Sequence, residues 1–478
     1  MAGAITGNGF DLQPSSEQVA LSSNYITNFD FLNQYLPDTY EKEFERYGNR
    51  TVASFLRLVG AEMPSNSDLI KWAEQGRLHT KYTDVTTPTA AAASTAVWTI
   101  GDTLLPGSGS IAVRVGQTVM LTKNTGGANL KALVTVVDTA AGTITLAYYG
   151  ANHTGVGTDK YTMFIYGSEF AKGTPGMVGS LEADDVFFEN KPIILKDRYA
   201  VSGSDMAQIG WVEVTTENGA SGYLWYLKSE HETRLRFDDY LETAMLEAVP
   251  ALVGSGASAA IGNGTDVANA PTGAGSEGVF YVVNNRGNVW SGGNPNVLGD
   301  FDSIIQRLDK QGSIEENVIF VDRQFGFDID DMLAAQNSYG AGGTSYGLFD
   351  NDEEMALNLG FTGFRRGYDF YKSDWKYLND PTMRGGLPTG AGSGRINGLL
   401  VPAGSTSVYD QILGKNAKRP FLHVRYRASE TEDRRYKTWI TGSAGGANNS
   451  SLDAMEVNFL SERAVCTLGA NNFFLFQE

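Results

Sequence analysis

A chain of 478 residues is too long for one ordinary core, so roughly two to four packing units are expected. Hydrophobic residues make up 42% and aromatics 11%, enough for large cores, while 56 glycines point to many turns and long loops. The net charge of -18 argues against a protein that wraps nucleic acid, because phosphate binding needs clustered Lys and Arg.

The lone Cys466 excludes an intrachain disulfide framework and a cysteine-based zinc cluster; its expected role is a small buried apolar side chain. No run of about 18 apolar residues occurs, and residues 1–10 lack the basic-then-apolar order of a signal peptide. The expectation is a protein made and used in a cytoplasm, with no membrane partner.

Residues 1–27 are rich in Gly, Ser and Asn without a period. A helical pattern follows over 30–59 through Leu32, Leu36, Tyr40, Phe44 and Tyr47, interrupted at Pro37. An extended arm before a helix is expected, the arm clamped by a neighbouring subunit. Between 85 and 170 the composition turns to Thr, Ala and Gly, with short alternating runs at 111–115, 118–122, 132–137, 143–149 and 161–166. Ile144, Leu146 and Tyr148 share one face of the fourth run, so a small barrel or sandwich is expected.

Over 187–214, Ile193, Leu195, Tyr199 and Val201 precede Ser202-Gly203-Ser204-Asp205, and Ile209, Trp211 and Val212 follow it. This predicts a long two-stranded hairpin, which must lie on something else because such a hairpin is marginal alone. The strongest helix signal runs over 223–248, about 39 Å at 1.5 Å per residue. Glu230 with Arg234, Glu232 with Arg236, and Arg234 with Asp238 lace its middle, and Leu241, Met245 and Leu246 supply an apolar stripe. Beyond it, strands are expected at 279–284 and 318–321, helices at 302–310 and 328–335, and strands at 368–377, 421–426, 436–441, 455–460 and 473–476.

The chemistry-bearing motifs are weak. Gly273, Gly275 and Gly278 spell G-x-G-x-x-G, but ahead of an expected strand, so the dinucleotide reading fails on context. Ser345 within Gly343–Gly347 matches a nucleophile elbow, with only His423 downstream as a base, and the upstream flank is a Gly-rich loop instead of a strand. His79, His153, His231 and His423 lack metal-ligand spacing. Asp328, Asp330 and Asp331 fit a helix N-terminus better than a calcium loop. No catalytic, cofactor-binding or metal-binding residue is assigned, and no cofactor is expected.

The order of elements resembles the HK97-type major capsid fold of tailed double-stranded DNA phages. Three stretches carry the resemblance. Phe188-Glu189-Asn190-Lys191-Pro192-Ile193-Ile194-Leu195 through Tyr199-Ala200-Val201-Ser202-Gly203-Ser204 looks like the family's extended loop, which lies over an adjacent subunit. Leu227-Lys228-Ser229-Glu230-His231-Glu232-Thr233-Arg234-Leu235 looks like its spine helix. Tyr436-Lys437-Thr438-Trp439-Ile440-Thr441-Gly442-Ser443, with Phe459-Leu460-Ser461-Glu462-Arg463, is similar to the C-terminal strands of large marine and gut phage capsid proteins, the crAss-like group among them.

The resemblance implies an α+β fold and six regions: an N-terminal arm and helix (1–84), an inserted β domain (85–172), the extended loop (173–220), a peripheral domain with the spine helix (221–320), an axial domain (321–430) and C-terminal strands returning to the core (431–478). It implies a non-enzymatic subunit that self-assembles into hexamers and pentamers of an icosahedral virion shell in the host bacterial cytoplasm. The shell would enclose double-stranded DNA without reading its sequence. Scaffolding, portal and decoration or head-fibre proteins are the implied partners. The other readings are an encapsulin-like compartment, a phage tail or adhesion protein, and a serine hydrolase using Ser345.

Overall fold

The structure, a computed structural model, describes residues 61–76, 81–86, 94–101, 111–127, 129–150, 159–179, 185–207, 214–215, 221–222, 225–252, 254–261, 275–337, 362–390, 393–410, 415–446 and 448–478. The expected arm and first helix within 1–59 lie outside these residues, as do Gly273, Ser345, His79 and His153.

Helices and strands mix throughout, in an α+β arrangement. The Thr- and Ala-rich stretch forms a closed antiparallel barrel. Its strands, in order around the wall, are Lys81–Thr86, Thr95–Ile100, Thr143–Tyr148, Leu130–Asp138, Gln117–Lys123 and Lys160–Ser168, which pairs back with the first. Closure removes the free edges that a small sheet would otherwise expose. Strand alternation turns Val85, Trp98, Val119, Leu121, Ile144, Leu146 and Met163 into one core. Residues 111–115 are not a strand: Ile111 and Val113 instead plug this core, and the Ala112 N–H donates to the Tyr82 hydroxyl at 2.8 Å. The apolar alternation there reflects burial at a barrel end, which an irregular segment satisfies as well as a strand.

Two strands flank the barrel in sequence, Ile70–Gln75 and Asp185–Asn190, and pair antiparallel as a stalk. The predicted hairpin is thereby corrected over its described part. Ile193–Ser202 pairs antiparallel with the C-terminal strand Ala454–Thr467, from Ile193 opposite Arg463 to Ser202 opposite Ala454. The chain then enters a helical turn, Gly203–Ala207, where the Ser202 hydroxyl caps the Asp205 N–H at 3.1 Å. Residues 209–212, the expected return arm, lie outside the described residues, and Val214–Thr215 pairs forward with Ser221–Gly222.

Ala454–Thr467 is the spine of its sheet. Along its other edge, Leu422–Arg427 and Lys437–Gly442 follow each other in register as one composite strand, with 428–436 looping out between them. Ala61–Ser65 adds parallel to Leu422–Arg427, so the first described strand sits beside nearly the last.

The helix Trp225–Glu247 lies across this sheet. Phe237 and Leu241 pack on Val201, Met455, Val457 and Phe459, and the Phe237 ring meets Tyr436 edge-on at 5.5 Å. Arg236 also reaches off the helix, its Nε 3.2 Å from Asp197 Oδ2 on the neighbouring strand.

A mixed six-stranded sheet forms the rest, in the order Asn288–Trp290, Phe474–Gln477, Ile396–Pro402, Glu316–Val321, Tyr368–Asp374 and Gly363–Arg366. Both faces are covered, so its central strands read as continuous apolar runs. Phe320, Leu399, Val401 and Leu475 share a core with Met245 and Leu246 of the long helix and with the helix Val279–Arg286. Ile319, Val321, Leu400, Phe474 and Phe476 share the opposite core with the helices Leu298–Gln311 and Arg323–Asn337. Leu298–Gln311 ends at Gly312, whose φ of 70° is the left-handed C-cap that favours glycine.

Residues 279–284, expected as a strand, are helical. A short run rich in valine and aromatics has no period that separates a buried strand from a buried helix. What decides is Gly278, whose N–H donates to Ala248 O at 2.8 Å. A Cβ there would lie 2.7 Å from backbone atoms of Leu246 and Ala248. The glycine lets the short helix start flush against the end of the long one.

Candidate interaction surface

G-x-G-x-x-G does open a helix, contrary to the expected strand, but Gly275 and Gly278 are packed against 246–251, and a Cβ at Gly275 would lie 2.3 Å from Val249 O. These glycines serve backbone packing, not a phosphate cradle.

The acidic trio is not at a helix start, since that helix begins at Arg323. Its N-terminus is capped by Asp322, which sequence reading missed: Asp322 Oδ1 accepts the Phe325 N–H at 2.7 Å, and Oδ2 lies 3.3 Å from Arg395. Burial pushes the Asp322 carboxyl above its usual range, with that backbone hydrogen bond and Arg395 pulling back. Asp328 instead accepts from Asn294 at 2.7 Å, and Asp330 pairs with Lys372. Among the described residues no three His, Cys, Asp or Glu side chains converge as a metal site, and no helix is long and apolar enough to cross a membrane.

His423, the base of the hydrolase reading, is 2% exposed in the strand Leu422–Arg427, opposite the buried Cys466. Burial first, then Arg425, pushes its pKa down to about 4, so it is held neutral and away from any substrate. Between pH 6.5 and about 4 the unfolded chain takes up a proton that the folded chain refuses, so stability is retained above pH 6.5 and lost as pH falls. The loss is on the order of 3 kcal/mol by pH 4. Urea midpoints measured from pH 7 to pH 4 are expected to fall less steeply in His423→Gln than in the wild type; parallel slopes would remove His423 as the cause.

What the geometry offers is a surface. In the sheet built on Ala454–Thr467, directly opposed residues share a face. Tyr199, Val457 and Ile440 form a row on the helix side, whereas Arg198, Asn458 and Trp439 form a row on the outer side, followed by Lys196, Leu460 and Lys437. That outer face carries exposed Ile194 and Trp439 among cations, with Arg198 Nη1 2.9 Å from Glu456 and Lys437 Nζ 2.8 Å from Glu432. No described strand pairs with the far edge of Ile193–Ser202, so its backbone groups there face no described partner strand.

At the other end of the sheet an ion-pair network ties the first described strand and the turn after it to Ala454–Thr467, Leu422–Arg427 and the 428–436 loop. Arg435 pairs with Glu62, Arg463 Nη1 lies 3.5 Å from Glu62, Arg427 Nη1 2.6 Å from Asp68, and Arg434 Nε 2.7 Å from Glu462. The more exposed of these pairs, Arg427 with Asp68 and Arg435 with Glu62, add little stability singly, while Glu62, held by both Arg435 and Arg463, fixes the register of Ala61–Ser65.

No known family model and no curated protein matches the chain. Solved structures that resemble it include a chain of the capsid of a native GTA particle, 9% identical, with a TM-score of 0.38 and coverage of 93% of this chain and 96% of that one. A chain from Microbacterium phage Oxtober96 is 9% identical at a TM-score of 0.37, covering 90% and 92%. A chain from Mycobacterium phage Adephagia is 7% identical at 0.35, covering 94% and 97%. Likenesses at TM-scores below 0.5 do not assign the chain to a family.

Proposed function

We propose that the chain is the major capsid protein of a tailed double-stranded DNA phage, a subunit of HK97-type fold that assembles into hexamers and pentamers of an icosahedral shell. The observation that carries this reading is the 23-residue helix Trp225–Glu247 packed along a sheet whose centre, Ala454–Thr467, comes from the chain's end and whose outer strand is Ile193–Ser202. The mixed sheet with helices on both faces follows in the chain, as the mixed α+β part of that resemblance requires, although its edge strand Asn288–Trp290 and the adjacent Phe474–Gln477 come from outside 321–430.

In this reading 1–84 holds the arm and first helix together with the strands Ala61–Ser65 and Ile70–Gln75 and the start of the barrel at Lys81, 85–172 is the rest of the insertion, 173–220 the extended loop, 221–320 the peripheral domain, 321–430 the axial domain and 431–478 the returning strands. The outer strand edge and the Trp439 face are contact surfaces between copies. Repetition of modest contacts across a lattice, with interfaces of roughly a few thousand Å2, outweighs the repulsion between acidic subunits. The acidic charge suits a shell that encloses DNA without gripping it. Scaffolding, portal and decoration or head-fibre proteins are the partners, and the virion is the location. The burial of His423 favours this reading over a serine hydrolase.

Electron microscopy of the purified full chain, with and without a co-expressed scaffold gene product, tests the proposal. Closed shells, or rings of five and six subunits, are expected. A monodisperse monomer or trimer under both conditions would overturn it in favour of the tail-protein or enzyme reading, and closed shells that package an enzyme instead of DNA would favour an encapsulin-like compartment.

A further inference from the structure

The stalk that flanks the barrel lies with one face flat on the body. Ile70, opposite Asn190, packs with Trp72 on Ala464 and Cys466 of the C-terminal strand. Its other face, Lys71, Ala73, Phe187 and Glu189, is exposed, Phe187 to 71%.

The apolar seam is small, but the polar ties are dense. Asn190 is 3% exposed, and its Nδ2 donates to Glu277 O at 2.9 Å and to Val465 O at 2.7 Å. Its Oδ1 accepts from Ser276 Oγ and from the Glu277 N–H, both at 2.9 Å, and from the Lys191 N–H at 2.8 Å. One carboxamide therefore joins the stalk, the loop before helix Val279–Arg286 and the C-terminal strand. Arg286 reinforces it: its Nη2 lies 2.8 Å from Glu277 Oε2, and its guanidinium sits 4.3 Å from the Phe188 ring centroid. Glu74 accepts the Gly469 N–H at 2.8 Å.

We propose that the stalk is a latched flap, held to the body mainly by Asn190, which opens as one unit and carries the barrel with it while the body stays folded. Barrel residues 81–168 lie between its two strands in sequence, so lifting the flap repositions the barrel. The balance of contacts sets the latch. A seam of few apolar side chains gives way readily once the carboxamide is gone, because its removal leaves buried donors and acceptors orphaned. The inference does not depend on shell assembly.

The chain carries its own probe, since its only cysteine is 1% exposed beneath the flap. Labelling of Cys466 in the purified full chain with an aromatic disulfide reagent, in native buffer, reads the opening. Asn190→Ala is expected to react at least about 30-fold faster than wild type with an unchanged far-ultraviolet circular dichroism spectrum, while Lys71→Ala, on the outer face, reacts at the wild-type rate. Equal rates for wild type and Asn190→Ala would overturn the latch. The wild type gives a second reading that needs no variant. A flap exposes a fraction of the surface that global unfolding does, so the labelling rate should rise with urea at well under the global slope. A slope equal to that of global unfolding would overturn the flap.

Discussion

Phe237→Ala is expected to cost about 3 to 5 kcal/mol, the range for removing a fully buried aromatic ring, and to abolish assembly under conditions that close wild-type shells. Phe237 is 0% exposed, and its ring bridges Tyr436 at 5.5 Å and Phe459 at 5.7 Å. It therefore ties the long helix at once to the end of the 428–436 loop, just before Lys437–Gly442, and to the central strand. Leu241 and Met455 close the same cluster and cannot collapse into the void without moving the helix. In the proposed shell that helix and sheet form the frame on which the outer strand is presented, so loosening them should blur the contact geometry before the chain unfolds. Urea denaturation gives the stability loss, and electron microscopy of the same sample gives the assembly outcome. A loss under about 1 kcal/mol would mean the helix is held elsewhere, and normal shells from a variant destabilised by the full amount would separate this frame from assembly.

The sequence made some of this legible and concealed the rest for identifiable reasons. The long helix could be read because charged and apolar positions recur at helical spacing from Glu230 to Leu246, and Trp225–Glu247 falls within two residues of the expected ends. The barrel strands from Gln117 onward could be read because one wall faces a core and the other water, so Ile144 and Leu146 alternate with Thr143 and Thr145. The run Ile396–Pro402 is buried on both faces and carries no alternation to detect.

Pairing was the hardest property. Nothing local in Ile193–Ser202 says that its partner lies at 454–463, since any strand with one apolar face fits any other of matching register. The placing of His423 was hidden for a similar reason: it sits in an ordinary apolar strand pattern, and only the tertiary structure buries it against Cys466. Asn190 had no sequence signal at all, because its partners at 276–277 and 465 are brought together by the fold.

Trp98→Ala is the sharpest test of how the molecule divides. Trp98 is 0% exposed, meets Tyr161 edge-on at 5.2 Å and donates its Nε1–H to the Tyr148 hydroxyl at 2.7 Å. Its removal leaves a large cavity and takes one hydrogen-bond donor from the Tyr148 hydroxyl, in a barrel that a mutation of this kind, worth about 3 to 5 kcal/mol, is large enough to melt. Among the described residues the barrel shares no core cluster with the body: Val85, Val119, Leu146 and Met163 pack with other barrel residues such as Trp98 and Ile144, and chain continuity passes through the latched stalk. Two transitions are therefore expected in place of one. The first, at low urea, should remove barrel structure while Cys466 stays unreactive, and the second, at the wild-type position, should release the thiol. A single early transition that exposes Cys466 together with the barrel would show that barrel and body fold as one cooperative unit. The stalk would then act as a rigid bridge, and the latch at Asn190 would have nothing to release.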